Sequence, residues 1–90
     1  MKSFTVNSFW VAFNNLPDDI QTTARKKYLI WKENPFHPSL KFKCVNAAHD
    51  IWSVRISRDY RGLGVMNSDK RNEIIWYWIR THKDYEKLIK

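Results

Sequence analysis

The spacing of apolar residues changes at Pro38, and this change limits the possible folds more than any other feature of the sequence. Before Pro38, apolar side chains recur every three or four residues, at Phe9, Phe13, Leu16, Ile20, Ala24, Tyr28 and Trp31. After it they recur every second residue, at Leu40, Phe42, Cys44, Trp52, Val54 and Ile56. The first spacing predicts amphipathic helices, and the second predicts half-buried strands.

Local signals place the ends of these elements. Pro17, followed by two aspartates, suits the start of the second helix, and the prolines in ENPFHP should end it. Further strand patterns are FTV near the N-terminus, the run from Tyr60 to Met66, and EIIWYWI, whose two apolar faces suit an inner strand. Turns are expected at NAAHD, SRD and NSDKRN, and a short helix at HKDYEKLIK.

These elements predict an α+β fold. We expect an antiparallel sheet, made of the short N-terminal strand and a C-terminal three-strand meander, with two N-terminal helices packed on one face. The sequence contains no repeat or linker, so residues 1–90 should form a single domain.

Composition narrows the class of partner. The formal net charge of +7 favours an anionic one: nucleic acid, an acidic protein or a membrane surface. A single cysteine, Cys44, excludes an internal disulfide and points to a reducing compartment. No apolar run approaches the ~18 residues of a membrane span, and the N-terminus lacks the apolar stretch of a signal peptide. We therefore expect a soluble, cytoplasmic domain.

Basic side chains should gather on the sheet face opposite the helices. Alternation places Lys41, Lys43 and Arg55 there, where they could hold an anion or simply form a solvated charged row. If Arg58 and Asp59 form a two-residue turn, Gly62 and Gly64 join Arg55 and Ser53 on that face and leave a shallow furrow beside Arg55. The alternative for the glycines is close packing or a bulge. In the two-residue-turn register Arg61 would share the other face with Leu63 and Val65.

A second polar group lies near the C-terminus. Arg80, His82, Lys83 and Tyr85 occur within six residues. A histidine titrates near neutral pH, and a phenol or a guanidinium can orient and polarise a phosphate. The spacing of the histidines and Cys44 does not suit a zinc site, and no phosphate-binding glycine loop is present. No metal or small-molecule cofactor is expected.

Three stretches resemble the RelE/ParE superfamily of toxin–antitoxin toxins, nearest to RelE-like cytotoxic translational repressors. They are FNNLPDDIQTTARKKYLIWKENPFHPSLKFK, WSVRISRDYRGLGV and IIWYWIRTHKDYEKLI. The resemblance implies the α+β fold predicted above and a cognate antitoxin that is acidic or partly disordered. It also implies one of two activities: cleavage of messenger RNA in the ribosomal decoding site, as in RelE and YoeB-like members, or poisoning of DNA gyrase, as in ParE-like members.

The resemblance carries over to particular residues. Arg55 and Arg61 match the arginines late in one strand and at the opening of the next, and His82 and Tyr85 match the C-terminal pair of a basic residue and a tyrosine. Lys41 and Lys43 lie in the strand where RelE carries functional lysines. Two positions depart from the pattern: Arg80 replaces a glycine, and the glutamate that serves as the base in YoeB-like members has no clear counterpart, the nearest residues being His37 and Ser39.

The resulting hypothesis is a ribosome-dependent endoribonuclease that needs no metal. Arg61 and Arg55 would stabilise the phosphate, His82 would act as acid or base, and Tyr85 would donate a second proton or orient the substrate. RNA-binding residues would be Lys41, Lys43, Arg80 and Lys83. The alternatives are a ParE-like gyrase inhibitor that cleaves nothing, and an RNA-binding or ribosome-binding module without turnover.

Overall fold

All three predicted helices form in the computed structural model, which describes residues 1–67, 69 and 72–89. The elements in chain order are β1 (Lys2–Thr5), α1 (Asn7–Asn14), α2 (Asp18–Glu33), β2 (Lys43–Asn46), β3 (Ile51–Ser57), β4 (Tyr60–Met66), β5 (Glu73–Thr81) and α3 (His82–Ile89). Pro17 caps the start of α2, and extended backbone at Asn34, just before Pro35, ends it as predicted. The predicted turn at residues 67–72 lies partly outside the described residues.

The strands form one five-stranded sheet in the order β1-β5-β4-β3-β2. Helix α1 contacts β5 and helix α2 contacts β3, so the α+β class with two N-terminal helices on one face is confirmed. The strand details differ from expectation. The antiparallel part has four strands, β2 to β5, and β1 pairs in parallel with β5, beginning at Lys2 and Glu73. Strand β5 is an inner strand, as its two apolar faces predicted.

The main core lies between the helices and one face of the sheet. Its buried members are Phe13, Leu16, Ala24, Trp31, Leu40, Phe42, Val54, Ile56, Met66, Ile74, Trp76 and Ile79. Trp31 is the centre of this packing, since its ring makes edge contacts with Phe42 and Trp76 at centroid distances of 5.9 and 5.5 Å. We call the opposite side of the sheet the outer face. None of the helices in the described residues is long and apolar enough to cross a membrane.

The prediction of a strand from Leu40 to Cys44 is wrong at its start. Residues Pro38–Leu40 form a short 3-10 helix, in which His37 Nδ1 accepts a hydrogen bond from the backbone N–H of Ser39 at 3.2 Å. Lys41 then adopts the left-handed region, with φ of 45°, and the strand begins only at Lys43. Proline at the first position and the His37 cap favour the helical turn over an extended start. Lys41 is therefore not part of a strand row on the outer face.

The predicted direction of the two glycines is also wrong, and a bulge explains why. Ser57 pairs with Tyr60, as the two-residue turn requires, but the next pair is Arg55 with Arg61, so β3 contains one extra residue. This residue shifts Gly62 opposite Val54 and Gly64 opposite Trp52, both on the side of the helices. A Cβ at Gly64 would lie 2.8 Å from Ile74 and Trp76 atoms, so close packing, not a furrow for a ligand, accounts for the glycine.

Candidate functional site

The same bulge brings three arginines together on the outer face. Arg61 pairs with Arg55 on one side and with Arg80 on the other. Directly paired residues point to the same face, and neighbouring strands lie about 5 Å apart. We call Arg55, Arg61 and Arg80 the arginine row. The sequence pointed to each of these residues separately, but their alignment across β3, β4 and β5 depends on a bulge that alternation alone does not reveal.

Arg61 is the central and most constrained member of the row. Its Nη1 donates hydrogen bonds to the carbonyl oxygens of Ser57 at 2.7 Å, Tyr60 at 2.9 Å and Arg58 at 3.3 Å. These bonds link the guanidinium to three backbone carbonyls of the β3–β4 turn and so stabilise the turn. Burial is the main cause that lowers the pKa of Arg61, and the positive charge of Arg55 lowers it further, whereas Tyr85 and Asp59 act in the opposite direction.

Helix α3 follows β5, the strand that carries Arg80, without a loop. Thr81 acts as its cap: the Thr81 hydroxyl accepts from the backbone N–H of Asp84 at 3.2 Å and donates to the Asp84 carboxylate at 2.9 Å. The backbone N–H of His82 donates to the carbonyl of Asp59 at 2.6 Å, which ties the helix start to the β3–β4 turn. The helix contacts β4 and β5, and buried Tyr85 lies outside the main core.

His82 and Tyr85 form a stacked pair beside the row, with ring centroids 5.8 Å apart and planes inclined by 29°. His82 Nε2 lies 2.7 Å from Oε1 of Glu86, one helical turn further on. The other ring nitrogen, Nδ1, is buried and has no hydrogen-bond partner among the residues that the structure describes. Glu86 is not among the site residues predicted from the sequence. Its spacing of four residues from His82 is the signal that could have identified it.

The other predicted site residues are more dispersed. Lys43 on β2 is exposed on the outer face. It pairs with Ser53, which lies two residues before Arg55 on β3. Lys83 is exposed in the first turn of α3. Arg58 is exposed at the β3–β4 turn, as predicted. His37 and Ser39 bond to each other in the 3-10 turn, with 2.9 Å between the imidazole Nδ1 and the hydroxyl.

The opposite side of the molecule carries an apolar groove between β1, α1 and α2, with a volume of about 480 Å³. Large apolar side chains at its rim are exposed, including Phe4, Trp10 and Leu29. Arg25 supplies positive charge to its lining, with the guanidinium 5.0 Å from the centroid of the Phe13 ring. We call this feature the helix groove. An exposed apolar surface of this kind is typical of a protein interface.

Solved structures of several toxins share this fold. The YoeB/ParE toxin from Agrobacterium tumefaciens is 18% identical, with a TM-score of 0.67 over 91% of this chain and 99% of that chain. A chain of the RelB–RelE antitoxin–toxin complex from Methanococcus jannaschii is 19% identical, with a TM-score of 0.67 over 97% and 99%. A chain of the archaeal RelE–RelB complex from Pyrococcus horikoshii is 14% identical, with a TM-score of 0.68 over 89% and 92%.

The family is established by sequence. No curated protein is significantly similar in sequence, but a family model described as the ParE-like toxin domain matches residues 18–87. The match runs from the first turn of α2 into α3 and includes the whole arginine row together with His82, Tyr85 and Glu86. The resemblance to the RelE/ParE superfamily seen in the sequence is thus confirmed, and the chain belongs to the family of ParE-like toxin domains.

Proposed function

We propose that this toxin domain cleaves messenger RNA on the ribosome and so inhibits translation in the cytoplasm. The observation that carries the proposal is the arginine row on the outer face, together with the stacked pair of His82 and Tyr85 in the helix that follows β5. In the reaction the 2′-oxygen of the RNA forms a bond to the neighbouring phosphorus while the bond to the 5′-oxygen breaks. The 2′-hydroxyl loses a proton to a base, and the leaving oxygen gains one from an acid.

The arginine row suits the charge that develops in this reaction. Negative charge grows on the phosphate oxygens in the transition state, and preorganised cationic donors stabilise it. Among the described residues, the turn carbonyls engage only Nη1 of Arg61, which leaves the N–H groups of Nε and Nη2 for a phosphate. An anion between the guanidinium groups would also relieve the repulsion by which Arg55 lowers the pKa of Arg61.

Proton transfer is assigned to the C-terminal residues. Tyr85 acts electrostatically on Arg61 and raises its pKa, and its phenol would donate a proton to the leaving oxygen or orient the phosphate. His82 stacks on Tyr85 and contacts the Glu86 carboxylate through Nε2, so it would take part in proton transfer either directly, as the sequence predicts, or by positioning that carboxylate. Lys43, on the same face, and Lys83 would bind the RNA backbone. Holding the message in place would fall largely to the ribosome, and positioning alone can supply about 7–11 kcal/mol of a barrier.

We also propose a cognate antitoxin as protein partner. The solved complexes of RelB with RelE from two archaea support this, because their chains share the fold. The helix groove offers exposed apolar side chains, and the net charge of +7 favours an acidic partner. An antitoxin segment with apolar residues on one side and carboxylates on the other would match both features.

Replacement of Leu29 by glutamate should weaken antitoxin binding at least tenfold. Leu29 is 61% exposed on α2 at the rim of the helix groove, so the new charge leaves the fold intact but is poorly hydrated once a partner covers it. Leu88→Glu is a matched control, since Leu88 is 58% exposed on α3. The measurement is the dissociation constant by isothermal titration with the cognate antitoxin. Equal losses in the two variants would contradict the use of the helix groove.

A second candidate function is inhibition of DNA gyrase without cleavage of RNA. The observation that favours it is the description of the matching family as ParE-like. The arginine row would then bind a protein or DNA surface, and the pair formed by His82 and Tyr85 would have no chemical role.

One experiment separates the two functions. The purified wild-type protein is added to in vitro translation, and the message is examined by primer extension with and without ribosomes. We expect new 5′ ends that require ribosomes and persist in the presence of a metal chelator at a concentration that ribosomes tolerate. Intact messages together with accumulated gyrase–DNA breaks would overturn the proposal in favour of gyrase. Binding to ribosomes that weakens steeply with salt, with no cut messages, would indicate a module without turnover.

A further inference from the structure

The contact between His82 and Glu86 assigns a base to the reaction. We propose that Glu86 takes the proton from the 2′-hydroxyl and that His82 is a positioning residue that holds the Glu86 carboxylate. This inference rests on the proposed RNA cleavage. The resemblance left the general base of the reaction without a clear counterpart, and Glu86 would fill that role. The nearest positions suggested by the sequence, His37 and Ser39, bond to each other in the 3-10 turn.

The two ring nitrogens of His82 stand in different surroundings, and this decides which one carries a proton. Nε2 lies 2.7 Å from the Glu86 carboxylate, a group that only accepts hydrogen bonds when ionised, so Nε2 carries hydrogen and donates it. Nδ1 is buried without a partner among the described residues. A proton on Nδ1 would leave a buried N–H unsatisfied, which is costly. The structure therefore favours the tautomer with hydrogen on Nε2 over the one with hydrogen on Nδ1.

In that tautomer His82 is poorly placed to act as the base. The nitrogen that faces solvent already carries a proton, and the nitrogen that could accept one is buried. The neighbouring carboxylate has neither limitation. The Glu86 side chain is 48% exposed, and with Oε1 held by His82 its second oxygen remains available to accept a proton.

The position of Glu86 fits the rest of the site. His82 follows Arg80 by two residues and is tied through its backbone to the β3–β4 turn, so α3 begins at the end of β5 that carries Arg80, and Glu86 lies one helical turn further along. Asp84, on the same helix, is already bonded to Thr81 in the helix cap. Asp59 in the turn acts electrostatically on Arg61, which makes it the competing carboxylate that the test must exclude.

The proposal gives a complete set of proton transfers. The 2′-oxygen attacks phosphorus as its proton passes to Glu86, the bond from phosphorus to the 5′-oxygen breaks, and Tyr85 protonates that oxygen. The products are a 2′,3′-cyclic phosphate and a 5′-hydroxyl end. Solvent then returns the protons of Glu86 and Tyr85 to their starting state.

The test compares Glu86→Gln with the wild type in the ribosome-dependent assay. Glutamine keeps an oxygen that accepts from His82 Nε2 but cannot take up a proton, so the cleavage rate should fall by about 10²-fold or more, with an unchanged melting temperature. Asp59→Asn, the matched control, should cut within a few-fold of wild type. His82→Gln, which can still donate to Glu86, should be more active than His82→Ala. Nitrogen-15 NMR of the wild type should show the His82 hydrogen on Nε2.

Each result decides something different. A Glu86→Gln protein that cuts like wild type while His82→Ala does not would overturn the inference and make His82 the base. Loss of cleavage in Asp59→Asn alone would move the role to the turn. Hydrogen on Nδ1 in the NMR spectrum would remove the structural basis of the assignment. If the wild type itself cuts no message, the proposed function fails, and the assignment of a base fails with it.

Discussion

Alanine in place of Arg61 is expected to lower the rate of ribosome-dependent cleavage by about 10²- to 10³-fold, the loss typical for one preorganised donor to a developing charge. Arg61 is the middle member of the arginine row, so its removal separates Arg55 from Arg80 as well as taking away its own donors. Arg61→Lys should recover little, because an ammonium keeps the charge but not the planar set of N–H groups that bonds to the turn carbonyls and would bind the phosphate.

Arg58→Ala is the matched control for this prediction. Arg58 is exposed in the same turn, and its backbone carbonyl accepts a hydrogen bond from Arg61, which alanine preserves. We therefore expect cleavage within about twofold of wild type. Thermal unfolding of each variant separates a loss of activity from a loss of structure, since Arg61 also stabilises the turn through hydrogen bonds, each worth about 0.5–1.5 kcal/mol. A folded Arg61→Ala protein that cuts messages at a normal rate would contradict the site assignment.

The elements that local sequence signals describe were largely predictable. The ends of α2 follow from Pro17 and Pro35, and the inner position of β5 follows from a run that is apolar on both faces. The pairing of β1 with β5 was not predictable in the same way, because it joins residues some 70 positions apart and no local pattern specifies whether such strands run parallel. Lys41 escaped prediction for a different reason: alternation continues through Leu40 to Cys44 in the sequence, while a proline and the His37 cap bend the backbone.

The candidate site shows where alternation reaches its limit. A single extra residue in β3 reverses the facing of every side chain beyond it, which is why Arg61 lies beside Arg55 and the glycines lie beneath the helices. The resemblance to known toxins selected Arg61 without using its direction, and the register now shows that the direction is compatible with the role. Glu86 was not selected by the resemblance. Its contact with His82 depends on the helical conformation of α3, which brings residues four positions apart together.

Two glycine substitutions should separate the packing role of β4 from any role in binding. Gly62 and Gly64 both face the main core, and neither has a positive φ, so alanine meets no backbone strain at either site. Their surroundings differ. A Cβ at Gly62 would lie 3.1 Å from a methyl of Val54, whereas at Gly64 it would lie 2.8 Å from atoms of both Ile74, which is fully buried, and Trp76.

Gly64→Ala is therefore expected to lower the free energy of unfolding by about 1–3 kcal/mol, the usual cost of adding a methyl group to a filled core. For a domain of this size that corresponds to a fall of about 5–20 °C in the melting temperature. Gly62→Ala should be close to neutral, because a small shift of the Val54 methyl is offset by a gain of about 0.4–1 kcal/mol from the stiffer unfolded chain. Calorimetry of the two variants checks the difference. Neutral effects on stability at both positions, combined with weaker RNA binding, would instead support the hypothesis of a binding furrow beside Arg55.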